Sequence, residues 1–235
     1  HCFECKTCLQ GDFSNCQNSL ITGIDFDGGY AEYMVVSTSA LTKIPQDFNS
    51  LEVAPLLCAG IATFNALRNS GAQGGDVVAV QGIGGLGHLA IQYAQKLGFR
   101  VVAISRGQDK KKLAMELGAS DYIDTESVEV SQTLQSMGGA KVILATAPKS
   151  KAISTLVDGL SVNGKLLILG ATPQPIEVSP LQLIKGRKSV QGWHSGHAQD
   201  AEESLNFSAL AGIRPKIEVF PLEQVSQAYQ QMLHN

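Results

Sequence analysis

Four of the five cysteines in this 235-residue chain fall in its first sixteen positions, HCFECKTCLQGDFSNC, as Cys2, Cys5, Cys8 and Cys16. The spacing is C-x2-C-x2-C-x7-C, and three chemistries use thiols crowded in this way. Disulfides bridge poorly between cysteines two residues apart, and no secretory context is visible. The bacterial iron–sulfur run closes its fourth cysteine after three residues and follows it with proline; here seven residues intervene and Gln17 follows. Zinc asks for four thiolates at tetrahedral corners, and a loop rich in Lys6, Thr7, Gly11, Asp12, Ser14 and Asn15 supplies the turns. The pattern favours a closed structural zinc site over a catalytic metal, which would keep an open position.

A second cluster able to do chemistry is GIGGLG, where Gly82, Gly84 and Gly87 match G-x-G-x-x-G and Gly85 is an extra glycine. It follows the apolar run DVVAVQ and opens a helical pattern over Leu86–Leu97, the context in which this motif binds a dinucleotide. Gly82 permits the tight turn, and Gly84 and Gly85 let the backbone approach a pyrophosphate. Gly87 lets helix and strand pack closely, and the helix N-terminus beginning at Leu86 brings partial positive charge to the phosphates. The end of the next apolar run, RVVAIS, selects the dinucleotide. An acidic side chain there would bond the ribose of NAD, but this chain has Ser105 and Arg106, followed by Gly107 and by Lys110, Lys111 and Lys112. A hydroxyl, a guanidinium and an ammonium group suit the 2′-phosphate of NADP, so Ser105, Arg106 and Lys110 lean the reading to NADP over NAD. Asp109 reads as a cap for the following helix.

These residues need a frame. Apolar runs rich in Val, Ile and Leu recur at DVVAVQ, RVVAIS, DYID, KVILAT, KLLILG and SVQGW, separated by helical patterns at Leu86–Leu97, Asp109–Leu117, Val128–Met137, Ser150–Leu160 and Pro180–Lys185. Strands apolar throughout are buried on both faces, so the expected fold is α/β: a doubly wound, Rossmann-type parallel sheet of about six strands. Earlier in the chain, DGGYAEYMVVS suggests a turn and a strand over Tyr30–Val36, and Glu52–Leu57 and Ile61–Asn69 read as helices. From Gly196 on, the sequence is more polar and predicts one helix, at Leu222–Leu233. The composition is 44% hydrophobic and 17% charged, with a net charge of −3. That suits a globular protein and leaves no basic footprint for nucleic acid. The apolar runs VVAV and LLIL are of strand length, which predicts no membrane span and a soluble cytoplasmic protein.

The tetrad, GGYAEY, APLLCAG, GIGGLGHLAIQYA and LLILGA together resemble the zinc-dependent alcohol dehydrogenases of the medium-chain dehydrogenase/reductase superfamily. The resemblance covers essentially the whole chain. It implies a partly β, GroES-like catalytic domain carrying the zinc lobe over 1–58, a Rossmann domain over 59–195, and a return to the catalytic domain over 196–235. It implies interconversion of small alcohols with aldehydes or ketones using zinc and NAD(P), with no nucleic-acid or membrane partner and a homo-oligomer formed through the Rossmann sheet edge at SVQGW. By the same resemblance Cys2, Cys5, Cys8 and Cys16 hold the structural zinc. Cys58 is a ligand of the catalytic zinc, where an isolated reading makes it a buried helix cysteine. Ala145, Thr146 and Ala147, with Leu169, Gly170 and Ala171, lie beside the cofactor. Where the family often has a threonine near the cofactor, this chain has Ala62 and then Thr63.

The remaining catalytic-zinc ligands of the family, its proton-relay hydroxyl and its final strand match nothing between His1 and Asn235. The resemblance therefore implies a fragment that does not turn over alcohols by itself. His88 is expected at the pyrophosphate side or in packing, and His194 and His197 at the surface. Two other readings share these motifs: a non-catalytic NAD(P)-binding zinc module acting as redox sensor or scaffold, and a zinc-free quinone or enone reductase. The relatives of the latter generally lack both the tetrad and Cys58.

Overall fold

A computed structural model describes residues 1–46 and 48–234. After a short helix α1 (Lys6–Leu9), an irregular stretch leads to α2 (Ser50–Pro55) and α3 (Ile61–Arg68). Then strands and helices alternate: β1 (Val77–Gln81), α4 (Gly85–Lys96), β2 (Arg100–Ser105), α5 (Lys111–Glu116), β3 (Asp121–Asp124), α6 (Val130–Ser136), β4 (Ala140–Ala145), α7 (Ser150–Leu156), β5 (Leu160–Ile168), α8 (Pro180–Ile184) and β6 (Ser189–Gly192). Two helices follow, α9 (Ala198–Ala211) and α10 (Val225–His234).

The six strands form one sheet in the order β3-β2-β1-β4-β5-β6, and every pairing is parallel. This is the expected doubly wound fold, with its topological switch between β1 and β4. The two-residue period of a strand divides the core into two layers. β1 sends Val78 and Val80 to one face, where they meet Leu89 and Tyr93 of α4, Phe64 of α3 and Leu205 of α9. It sends Ala79 to the other face, among Leu134, Ile143 and Ile153.

Four expectations are corrected. The stretch Tyr30–Val36 forms no strand: Tyr33 and Val35 are 90% and 91% exposed, and nothing among the described residues pairs with this backbone. A strand needs such a partner for its amides. The helix expected over Ser150–Leu160 ends at Leu156, and after one 3-10 turn Leu160 already belongs to β5. Among the described residues one predominantly apolar stretch is helical and longer than the strand-length runs. Ser50–Arg68 has the length and composition to cross a membrane, and 50% of its most apolar 18-residue window is buried within the protein. Finally, α9 was not anticipated. Its mixed sequence AQDAEESLNFSALA places Ala201, Leu205 and Ser208 on one buried side, a weak stripe that becomes readable only once its partner surface is known.

That surface is α3 and α4. Phe207 stacks on Phe64 at 5.0 Å between ring centroids, and the buried Tyr93 hydroxyl meets Ser208 Oγ at 2.7 Å and Ser204 Oγ at 3.2 Å. Leu205 is fully buried in this layer. Leu205→Ala is expected to lower stability by about 2–5 kcal/mol in a urea titration. Leu210→Ala, at a position 87% exposed on the same helix, should change it by less than about 0.5 kcal/mol. Equal effects would show that α9 is not part of this core.

Candidate functional site

The ends of β1, β2 and β4 open onto a cavity of about 950 Å³. Its floor is the turn from β1 into α4. Gly82 has φ +92°, a left-handed conformation that favours glycine. A Cβ on Gly87 would lie 1.9 Å from the Gly82 carbonyl oxygen, so helix and turn touch backbone to backbone. Gly84 and Gly85 differ from these: a Cβ on either meets nothing within 4 Å, and both line the cavity. Gly84 is the N-cap of α4 and brings no side chain to satisfy the first helical amides. Those donors and that open space make the cradle a pyrophosphate requires.

Of the anticipated cofactor contacts, Gly82, Gly84, Gly85, Leu86, Ser105, Arg106, Lys110 and Thr146 line this cavity. Gly87 and Ala145 do not line it; Gly87 sets the turn and Ala145 is buried at the end of β4. Arg106 is 74% exposed and only loosely paired with Glu126, at 3.7 Å, so it is free to turn toward a ligand. Lys110 bonds the Ile83 carbonyl at 3.1 Å. It is also the N-cap position of α5, which has no side-chain cap, so Asp109 does not play the expected role.

The sequence reading missed the residues that hold these loops. Asp124, at the end of β3, accepts bonds from the Gly107 amide at 2.8 Å and from Gln108 Nε2 at 2.9 Å. Bonds from the Glu126 amide and from Gln108 hold its carboxyl below the usual range. Tyr122 donates to the Gly107 carbonyl at 2.7 Å, and the Ala147 amide donates to Gln81 Oε1 at 3.3 Å. No motif marks Asp124; its only sequence signal is its place at a strand end.

His88 is buried on α4 and faces away from solvent. Its Nδ1 lies 3.0 Å from the Gly84 carbonyl, and its Nε2 accepts the Lys216 amide at 3.1 Å. The ring does not line the cavity but bonds backbone on both sides, that of the cradle included. Burial, with a smaller contribution from the Lys216 charge, lowers its pKa below the ordinary histidine value.

A second cavity, of about 870 Å³, opens at the ends of β5 and β6. Leu169, Gly170 and Ala171 line one side, and Gly11, Asp12, Ser14 and Asn15 of the cysteine lobe line the other. A Cβ on Gly170 would lie 2.7 Å from the Thr146 carbonyl oxygen, so this stretch packs directly on the loop after β4 that lines the first cavity. Below lies a charged cluster in which Arg68 pairs with Asp200 at 2.6 Å and with Glu203. His197 is not the surface residue expected. It is the N-cap of α9, accepting the Gln199 amide, and its ring meets Phe13 of the lobe edge-on at 5.4 Å. His194 is exposed, as expected.

The lobe brings together the Sγ atoms of Cys2, Cys5, Cys8 and Cys16, all within 4.8 Å of one another. Cys2 and Cys5 sulfurs lie 3.7 Å and 3.9 Å from that of Cys16. Four thiolates about 2.3 Å from a tetrahedral zinc would be about 3.8 Å apart, so the donor set fits that metal. Backbone amides of Cys2, Cys5 and Asn18 point at these sulfurs at 3.3–3.4 Å, the outer-sphere bonds a metal thiolate needs. Hydrogen bonding by Thr7 and the backbone holds the Cys5 thiol down at about 5, whereas burial pushes Cys8 up to about 12. Thiols this close cannot all ionise without a cation among them.

Cys58 does not join that cluster. It is exposed, not buried, in a π-helical turn (Leu56–Gly60) between α2 and α3. Such wide turns recur at functional sites. Among the described residues, no second group of three or more metal-donor side chains forms around it. Thr63 is fully buried and bonds back to the Ala59 and Gly60 carbonyls, so it does not stand in for Ala62 at the cofactor.

A doubly wound domain with a phosphate cradle, joined to a four-thiolate lobe, defines the class: a zinc-containing nucleotide-dependent dehydrogenase. The family profile described as zinc-binding dehydrogenase matches residues 85–209, and that of the alcohol dehydrogenase GroES-like domain matches 1–46. Alcohol dehydrogenase notN of Aspergillus sp. (strain MF297-2) is 44% identical over 233 residues, covering 99% of this chain and 68% of that protein. An alcohol dehydrogenase of Geobacillus stearothermophilus is 36% identical, covering 98% and 68%. The crystal structure of CAD from Helicobacter pylori complexed with NADP(H) superposes with a TM-score of 0.86 at 28% identity, covering 99% of this chain and 69% of that one. The chain belongs to the zinc-binding alcohol dehydrogenases of the medium-chain dehydrogenase/reductase superfamily, oxidoreductases that combine zinc with a nicotinamide cofactor.

The two kinds of glycine separate folding from binding. Gly87→Ala is expected to lower stability by about 3 kcal/mol or more, since backbone must move to admit the methyl group. Gly84→Ala should stay within about 1 kcal/mol of wild type. It should nevertheless weaken dinucleotide binding about ten-fold or more, because its methyl group occupies the cradle. Urea midpoints and NADPH fluorescence titrations read the two effects, and a Gly84→Ala variant that binds normally would contradict the placement of the cradle.

Proposed function

We propose that this chain carries the NADP-binding part and the structural-zinc lobe of an alcohol dehydrogenase acting on small-molecule alcohols and their aldehydes or ketones. The observation that carries the cofactor preference is the end of β2, where Ser105, Arg106 and Lys110 line the cavity and the strand-end residue is a serine rather than an acid. The solved relative from Helicobacter pylori is complexed with NADP(H). In this reading Gly84, Gly85 and Leu86 amides hold the pyrophosphate, and Ser105 and Arg106 hold the 2′-phosphate with Lys110 nearby. Thr146 and the Leu169–Ala171 stretch orient the nicotinamide. When bound, the nicotinamide cofactor would supply hydride transfer and a catalytic zinc would polarise the alcohol oxygen. Cys58 is the ligand this chain contributes to that zinc, and its exposed π turn leaves the thiol accessible to further ligands. Strand β6 closes one edge of the sheet, the edge at which a second copy would add.

Two measurements test this. Removing a charge-assisted bond in Arg106→Ala should raise the NADPH dissociation constant about ten- to a hundred-fold and leave NADH within about two-fold. A wild-type protein that binds NADH more tightly than NADPH would sink the preference. Metal analysis of Cys8→Ser should show one zinc fewer per chain than wild type, with a lower melting temperature; an unchanged zinc content would remove the tetrad from the metal's coordination.

A further inference from the structure

We propose that His88 is a positioning residue for the pyrophosphate: its imidazole locks the Gly84–Gly85 peptide so that the Gly85 amide points into the cradle. The inference rests on the dinucleotide reading above.

The tautomer follows from the partners. The Lys216 amide can only donate, so Nε2, 3.1 Å away, must present a lone pair. The ring is neutral, the proton sits on Nδ1, and that N–H donates to the Gly84 oxygen at 3.0 Å. The same oxygen also accepts the His88 backbone amide at 3.0 Å. Two donors from one residue therefore fix one carbonyl.

A trans peptide is planar, with its C=O and N–H pointing in opposite directions. Pinning the Gly84 oxygen back toward α4 turns the Gly85 N–H away from the helix, into the space where neither Gly84 nor Gly85 would find a contact for a Cβ. Besides the two bonds from His88, its main-chain amide and its ring, no hydrogen bond among the described residues reaches the Gly84 oxygen. Gly84 has no side chain, and the cap position carries no side-chain bond. Glycine is the residue whose peptide planes rotate most freely, so a lock from outside the loop is what pre-organises the donor.

The far end of the lock is anchored too. Gln92, one turn further along α4, donates to the Arg214 carbonyl at 3.0 Å and accepts its amide at 3.3 Å. The Arg214 guanidinium lies 4.2 Å from the Phe48 ring centroid and 3.6 Å from Glu52. The segment bearing the Lys216 amide is thus held in place, and it in turn holds the imidazole.

Two substitutions divide the roles of the ring. His88→Asn keeps a donor where Nδ1 stands and loses the acceptor for Lys216. His88→Gln keeps an acceptor near Nε2 and loses the donor to Gly84. Each loses one hydrogen bond, so their urea midpoints should fall by similar amounts. Dissociation constants for ADP-ribose, NADH and NADPH should separate them: close to wild type for H88N, and weaker by about ten-fold for H88Q, the worth of one well-aligned bond. Wild type binding all three while both variants bind alike, or H88N binding more weakly than H88Q, overturns the positioning role and leaves the dinucleotide reading intact. Wild type binding none of the three overturns the dinucleotide reading and this inference with it.

Discussion

The contact on which the rest of the molecule depends is the one between Gly87 and the Gly82 carbonyl, where a single added Cβ would come within 1.9 Å of the oxygen. This approach brings α4 out of β1 through a turn of only three residues, Gly82 to Gly84. It aims the helix N-terminus at the ends of the strands and leaves Gly84 and Gly85 facing open space. It also sets the depth of α4 against the sheet, so that Leu89 and Tyr93 enter the layer that α3 and α9 close. A bulkier residue at Gly87 would displace the cradle and this core layer together.

A cradle of bare backbone is geometrically permissive and must be held from outside. The supports come from distant parts of the chain. Asp124 and Tyr122 of β3 hold the loop after β2, and Gln81 holds the loop after β4. Each places one side-chain group against a backbone amide or carbonyl, the strongest available restraint on a loop with little apolar burial of its own.

The cysteine lobe is small and has almost no apolar core, as expected of a segment organised by a metal rather than by burial. It meets the dinucleotide domain through Phe13 on His197, at the start of α9. The cavity beside Leu169–Ala171 is consequently shared, with the sheet on one side and the lobe loop on the other.

The sequence by itself determined the parts whose physics is local. Six apolar runs became six parallel strands because residues buried on both faces read as continuous hydrophobic stretches. The glycine spacing located the tight turn between β1 and α4, and the cysteine spacing located four converging sulfurs. Only the tertiary structure decided what depends on a partner surface. Tyr30–Val36 has strand-like residues but no neighbouring backbone among the described residues to pair with. Helix α9 has a weak apolar stripe that becomes a core face against Phe64 and Tyr93. The sequence left His88 between the pyrophosphate side and a packing role, and Asp124 looked like the end of a strand. Their roles come from atoms 128 and 17 positions away in the chain, a separation no local pattern can carry.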